Sequence, residues 1–212
     1  MAIVSRSIPP ALLVIYIALF TALAINPYDR ATWWAENLPV LITVGLLVVS
    51  YSRFQFSNVA YVLMALFLCY HTVGGHYTFA RVPFDWGNRM LGLLNLDFLF
   101  PDGRNNFDRV GHFLVGVFAY PVAELVYRKR WVSSIAMAVV FGVFALGFWG
   151  ALYEVIEMAF AVIYGGDSGT AFLGSQGDEW DAQKDMLLDI LGALSVSVVF
   201  VLLWTGRAPE QH

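Results

Sequence analysis

Residues 182–205 read AQKDMLLDILGALSVSVVFVLLWT, and this stretch decides the fold class. From Leu187 it is apolar apart from Asp189, two serines and the final threonine, and about 20 such residues in a row are what a helix needs to cross a bilayer. The start of the stretch is different in kind. Asp185 and Asp189 lie inside it, one helical turn apart, with Asp181 a further turn ahead. Ionisable groups inside a span are costly and by default mark a site.

Five more segments have the same character: 9–26, 38–53, 58–77, 108–127 and 131–153, of which 38–53 is short and needs its flanks. Overall 59% of residues are hydrophobic, only 13% are charged, and the mean hydropathy is +0.66. A water-solvated domain carries about twice that share of charge. The expected fold is therefore all-α, a polytopic membrane helix bundle of about six transmembrane helices forming one domain over 1–212. A net charge of −4 with no basic stripe argues against nucleic acid. Arg6, a short apolar run and Ala22-Leu23-Ala24 also have the layout of a secretory signal, but the segment is expected to be a retained anchor. The single cysteine, Cys69, falls within a span and cannot form an internal disulfide.

Between spans, Trp86 to Phe100 (WGNRMLGLLNLDFLF) is too polar to cross a bilayer and too apolar to be fully solvated. It predicts an interfacial or re-entrant segment near 85–100. Asn106 is a candidate N-cap for the fourth span, and Pro121 predicts a kink inside it. Residues 165–180 (GGDSGTAFLGSQGDEW) read as a loop. Lys and Arg at span ends mark the cytoplasmic face. Arg6, Arg53, Arg128-Lys129-Arg130 and Arg207 share one side, with Glu124 and Glu210, which places both termini in the cytoplasm.

The polar residues gather on the opposite side. His71 and His76 end the third span, Asp108 and His112 open the fourth, Glu154 and Glu157 close the fifth, and Asp185 and Asp189 open the sixth. Asp108 and His112 are i,i+4, and Glu154 and Glu157 are i,i+3, so each pair shares a helix face. His71 and His76 point about 140° apart on a regular helix, unless Gly74-Gly75 breaks it. On that side eleven carboxylates face five cations, Arg81, Arg89, Arg104, Arg109 and Lys184. Some acids must be solvated, protonated or metal-bound. Imidazole with carboxylate suits Zn²⁺, Mn²⁺ or Fe²⁺, and carboxylate alone suits Mg²⁺ or Ca²⁺. The candidate ligands are His71, Asp108, His112 and Asp189. The candidate catalytic acids are Glu154, Glu157, Asp185 and Asp189.

Other polar and aromatic residues have plainer readings. Glu124 lies one turn before Arg128 and predicts a snorkelled ion pair. Trp33, Trp34, Trp86, Trp131, Trp180 and Trp204 fit an aromatic belt at the span ends, while Trp149 lies deeper and predicts packing. Asp178 and Asp181 fit a solvated loop and helix start as well as a site. No nucleophile motif, phosphate-binding glycine loop or cofactor fingerprint is present.

The stretches Asn106-Phe107-Asp108-Arg109-Val110-Gly111-His112-Phe113, Glu154-x-x-Glu157 and Gly177-Asp178-Glu179-Trp180-Asp181-Ala182-Gln183-x-Asp185, followed by Asp189-x-x-Gly192, resemble the YjdF-like family of bacterial inner-membrane proteins. A fainter likeness runs to VanZ-like proteins of the cell envelope. Asp108/His112 are similar to their first motif, Glu154 to the second with Glu157 replacing Gln, and Asp185/Gly192 to the third with Asp189 replacing Asn. The resemblance implies the bacterial inner membrane and treats the three polar pairs as one unit. The leading expectation is an outward-facing intramembrane site for metal-dependent hydrolysis or transfer on a lipid-linked substrate. There His71, Asp108 and His112 would be ligands with Glu154 or Asp189, and another acid would activate water. A proton- or cation-coupled transporter and a purely structural use of the polar groups are the alternatives.

Overall fold

A computed structural model describes residues 7–206, so Arg6, Arg207, Glu210 and His212 lie outside the described residues. All regular structure among these residues is helical: α1 Ile8–Leu23, α2 Arg30–Ser50, α3 Asn58–Tyr77, α4 Asp85–Gly92, α5 Phe107–Val115, α6 Ala119–Arg128, α7 Ile135–Tyr164, α8 Gly166–Leu173 and α9 Asp181–Trp204. Five apolar helical stretches are long enough to cross a bilayer, with α5 and α6 counted as one, and the 16-residue α1 is a shorter apolar sixth. Their outward faces are greasy: Phe144 is 74%, Val162 79% and Leu202 75% exposed, which only a lipid surround tolerates along whole helices.

Local chemistry sets the helix ends. Asp29 Oδ1 accepts the Thr32 N–H and starts α2 well before residue 38, so Glu36 lies inside that helix. Ser57 caps α3 and Ser134 caps α7 in the same way. Asn106 occupies the N-cap position of α5, but its side chain donates to the Pro101 carbonyl instead of capping. Between α5 and α6 the chain narrows to a 3₁₀ turn over Gly116–Phe118, one turn before Pro121, whose missing N–H leaves the Val117 carbonyl without its usual donor. Residues 85–100 form the short α4 and a series of turns that expose Trp86, Leu93 and Phe98. That is the surface of an interfacial segment.

Three expectations about where the helices run need correction. Helix α7 does not close at residue 153 but runs to Tyr164, about 45 Å in length, so Glu154 and Glu157 lie well within it. The 165–180 stretch is not all loop, because α8 forms across its Gly- and Ser-rich half. Gly74-Gly75 does not break α3. Both glycines are buried in a continuous helix, with Gly74 facing the Phe79 ring and Gly75 facing Asn37.

The core is built around α9. It packs on α5, α6 and α7, while α1 lies on α3 and α2 lies on α3 and α8. At the end carrying Arg128, Tyr120, Tyr127, Phe200 and Trp204 form a buried aromatic core, in which the Trp204 indole N–H donates to the Tyr120 hydroxyl at 3.0 Å. Trp204 and Trp33 are thus packed inside, at 5% and 3% exposure, rather than standing in an interfacial belt. Trp34, Trp86, Trp131 and Trp180 are exposed. Trp149 is also exposed, on the wall of a cavity, and is not core packing.

Candidate functional site

The site is placed by a backbone crossing. A Cβ on Gly192 of α9 would fall on the Phe113 carbonyl, and one on Gly116 would fall on the backbone of Gly192 and Ala193. Small residues let two membrane helices approach this closely. One turn before Gly116 stands His112, and two turns before it stands Asp108. One turn before Gly192 stands Asp189, and two turns before it stands Asp185. The glycine contact therefore carries the two polar stripes together. On α7, Gly150 leaves the space that the Asp189 carboxylate fills, since a Cβ there would overlap Asp189 Oδ2. Glu154, one turn along, completes the ring of acids.

His112 is the centre of this arrangement. Its Nδ1 lies 3.1 Å from Asp189 Oδ1. Its Nε2 faces three carboxylates: Asp108 at 3.8 Å, Glu154 at 3.9 Å and Asp185 at 4.0 Å. Asp108, His112 and Asp185 each offer one ligand atom, all within 4.8 Å of one another. Two buried oxygens of the cluster, Asp189 Oδ2 and Glu154 Oε1, have no hydrogen-bond partner among the described residues. Asp189 is 1% exposed.

Behind this cluster lies an ion-pair network that sequence reading missed. Arg109 is fully buried, and its guanidinium holds Asp178 at 3.0 Å, Asp181 at 2.8 Å and Asp185 at 2.7 Å. Arg104 adds Asp181 at 2.7 Å and Asp108 at 3.6 Å. Lys184 holds Asp178 at 2.7 Å. Asp178 lies in the loop ahead of α9, outside the spans. Burial pulls its carboxyl upward, but the Lys184 ammonium and the Trp180 N–H outweigh that and hold it below the usual carboxylate range. Much of the apparent excess of acid is therefore neutralised by arginine and lysine rather than left for solvent or metal.

The two histidines of α3 fall elsewhere. His76 donates from Nδ1 to the Leu23 carbonyl at 2.7 Å, away from the cluster. His71 donates from Nε2 to the Glu36 carbonyl at 3.1 Å and lies 3.4 Å from Glu36 Oε2. The Tyr153 hydroxyl donates to the same Oε2 at 2.7 Å. The sequence does not predict this second acid–histidine pair, because hydropathy starts the second span at residue 38, beyond Glu36. The predicted set thus divides. Asp108, His112, Glu154, Asp185 and Asp189 come together, His71 does not join them, and Glu157 stands apart on α7.

Both groups border one cavity of about 1070 Å³. It lies between α2 and α7, which do not pack along their lengths, and is lined by Glu36, His71, Asp108, His112, Glu157 and Asp189 among mostly apolar side chains. Leu38, Ile42 and Leu46, all exposed, line its α2 side, so that wall reaches the outer surface of the bundle. An apolar cleft with a few convergent polar groups is the usual form of a small-molecule site.

Comparison with known proteins agrees with the membrane architecture. Residues 8–206 match a family described as predicted membrane protein (DUF2238). The chain is 35% identical over 196 residues to the inner membrane protein YjdF of Escherichia coli (strain K12), covering 90% of this chain and 86% of that protein. No solved structure matches it. The likeness to VanZ-like proteins rests on the motif pairs alone.

Proposed function

The chain belongs to the DUF2238 family of predicted membrane proteins, and from that premise we propose that it is a multi-pass protein of the inner membrane in which His112, Asp108 and Asp185 hold a divalent cation for hydrolysis or group transfer on a lipid-linked substrate. The observation that carries the reading is the surroundings of one imidazole. Nε2 faces three carboxylates within 4.0 Å while Nδ1 is held from behind by Asp189. A histidine that binds a metal through one nitrogen and donates the other N–H to a carboxylate is a recurrent pairing, and the carboxylate fixes the tautomer and the ring. The mixed nitrogen and oxygen donors favour Zn²⁺, Mn²⁺ or Fe²⁺ over Mg²⁺.

In this reading Asp189 is a positioning residue rather than a ligand. Arg109 and Arg104 fix the α9 carboxylates, leaving Asp185 Oδ2 turned toward His112. The ion would supply Lewis acidity to the bond being broken. Glu154, with a partnerless oxygen beside His112, would take the proton from the attacking water or hydroxyl. The basic rim near Arg128 would face the cytoplasm and the cluster the opposite side.

Elemental analysis of the purified protein, after growth with zinc, manganese and iron supplied, tests it. One transition metal per chain is expected in the unmodified protein, with little left in His112→Asn. A metal-free protein under every supplement would overturn the reading. The Glu36–His71 pair on the same cavity favours proton-coupled transport as the second reading. Proton-linked flux in liposomes by metal-free protein would select it.

A further inference from the structure

The cavity has a charge character that the metal reading does not use. Among the described residues no Lys or Arg lines it. Arg104, Arg109 and Lys184 are spent on the aspartates behind the cluster. Of the acids facing the cavity, Glu36 is taken by Tyr153 and His71, Asp108 by Arg104 and His112, and Asp189 by His112. One remains. Glu157 is 8% exposed and lines the cavity, and no hydrogen bond or ion pair engages its carboxylate among the described residues. A carboxylate held this far from water calls for a partner.

Its neighbours specify the partner. Tyr153, Phe160 and Tyr164 stand at i−4, i+3 and i+7 from Glu157, so they share its face of α7. Phe172 of α8 is buried against Phe160, with ring centroids 4.4 Å apart, and Phe160 stacks on Tyr164 at 4.3 Å. All four aromatics line the cavity with Glu157. A carboxylate among aromatic faces is what recognises an ammonium group, through charge and through the ring quadrupoles. A phosphate or carboxylate head would meet like charge and no cation.

We propose that Glu157, with Tyr153, Phe160, Tyr164 and Phe172, binds the ammonium head of a cationic amphiphile whose chain lies along the apolar α2 wall of the cavity. This names the charge class of the substrate and rests on the lipid-linked reading above, but it makes no use of the metal. The α2 wall, lined by Leu38, Ile42 and Leu46, offers an apolar surface for such a chain, continuous with the outside of the bundle.

The test titrates the purified full chain by calorimetry with hexyltrimethylammonium and hexyl phosphate, equal in chain length and opposite in head charge. The ammonium compound is expected to bind at least about tenfold more tightly. Glu157→Gln should abolish that preference without changing metal content. Phe160→Leu, which keeps the apolar bulk, should weaken ammonium binding alone, and both variants should keep the melting temperature of the parent. Protein stripped with EDTA should retain the preference, so a failed metal assignment and a failed ammonium assignment give different results. Equal binding of the two compounds, an unaffected Glu157→Gln, or loss of the preference with EDTA would overturn the proposal.

Discussion

The two ends of the bundle both bury acid, and they bury it differently. At the basic end Glu124 is fully enclosed, yet each of its oxygens is engaged. Oε1 accepts from the Ser57 N–H and from Arg128, both at 2.7 Å, and Oε2 accepts from the Ser57 hydroxyl at 2.6 Å. Arg128 in turn donates to the Gln55 carbonyl. The group ties the start of α3 to α6, and it leaves no acceptor for a ligand. At the opposite end the acids outnumber their donors. After Arg104, Arg109 and Lys184 have been used, Asp189 Oδ2, Glu154 Oε1 and the Glu157 carboxylate remain. Most buried polar groups that serve only the fold are satisfied. Acceptors left over in a closed space make sense when something else binds there.

The sharpest way to break this contrast is to remove the α5 cation that holds the aspartates at the start of α9. Arg109→Leu leaves Asp185 buried without its arginine and Asp181 with Arg104 alone, and should cost about 3–5 kcal/mol, read as a large fall in the melting temperature of the detergent-extracted protein. A stable Arg109→Leu would mean that these aspartates are not held as charges. Next in size is Gly192→Ala, whose methyl would strike the Phe113 carbonyl and force α9 from α5. About 1–3 kcal/mol should be lost, with metal affinity falling because Asp189 is displaced from His112.

A pair of isosteric changes then separates the two ends. Glu124→Gln should lower stability by about 1–3 kcal/mol and leave metal content unchanged, since it disturbs a fully engaged group. Asp189→Asn should do the reverse. Its Oδ1 still accepts from His112 and the amide replaces a partnerless oxygen, so melting should move by less than about 1 kcal/mol. Metal affinity should drop roughly 10–100-fold as the ring loses its carboxylate. Matching losses in both variants would erase the distinction drawn between the ends.

Much of this was legible in the sequence, and what was not has identifiable causes. Hydropathy is enough to read the helical membrane bundle because lipid imposes length and composition directly. The i,i+4 spacing of Asp108/His112 and Asp185/Asp189 foretold that each pair would share a face, and alternation of the spans put those faces at one end. Glu124 with Arg128 was foreseen as an ion pair, but not as a buried one, because the Ser57 cap it satisfies lies 67 residues away. In the sequence Arg109 is one cation among five, and spacing says nothing about which of several acids a guanidinium will reach. Glu36 falls outside the hydropathic span, which begins eight residues after the helix does, because the Asp29 cap and a mixed first turn disguise the start of α2. The signal available there was an Asp-x-x-Thr cap ahead of two tryptophans.

The smallest expected effect concerns pH. The Asp178 carboxyl is held below its ordinary range, so its ion pairs with Lys184 and Arg109 add stability that is present above the ordinary carboxylate pKa. That stability is lost as pH falls through the lowered one. Melting measured from neutral to acid pH should decline less steeply for Asp178→Asn than for the parent, because the variant has no such group to protonate.

His112 is expected to present Nε2 to a cation held by Asp108 and Asp185, with Asp189 behind the ring. X-ray absorption at the zinc K edge of zinc-loaded, gel-filtered protein tests it most directly. The predicted spectrum has one imidazole nitrogen and carboxylate oxygens at about 2.0–2.2 Å, and the nitrogen signature is lost in His112→Asn. An all-oxygen spectrum, a spectrum unchanged in His112→Asn, or no zinc retained through gel filtration would contradict it.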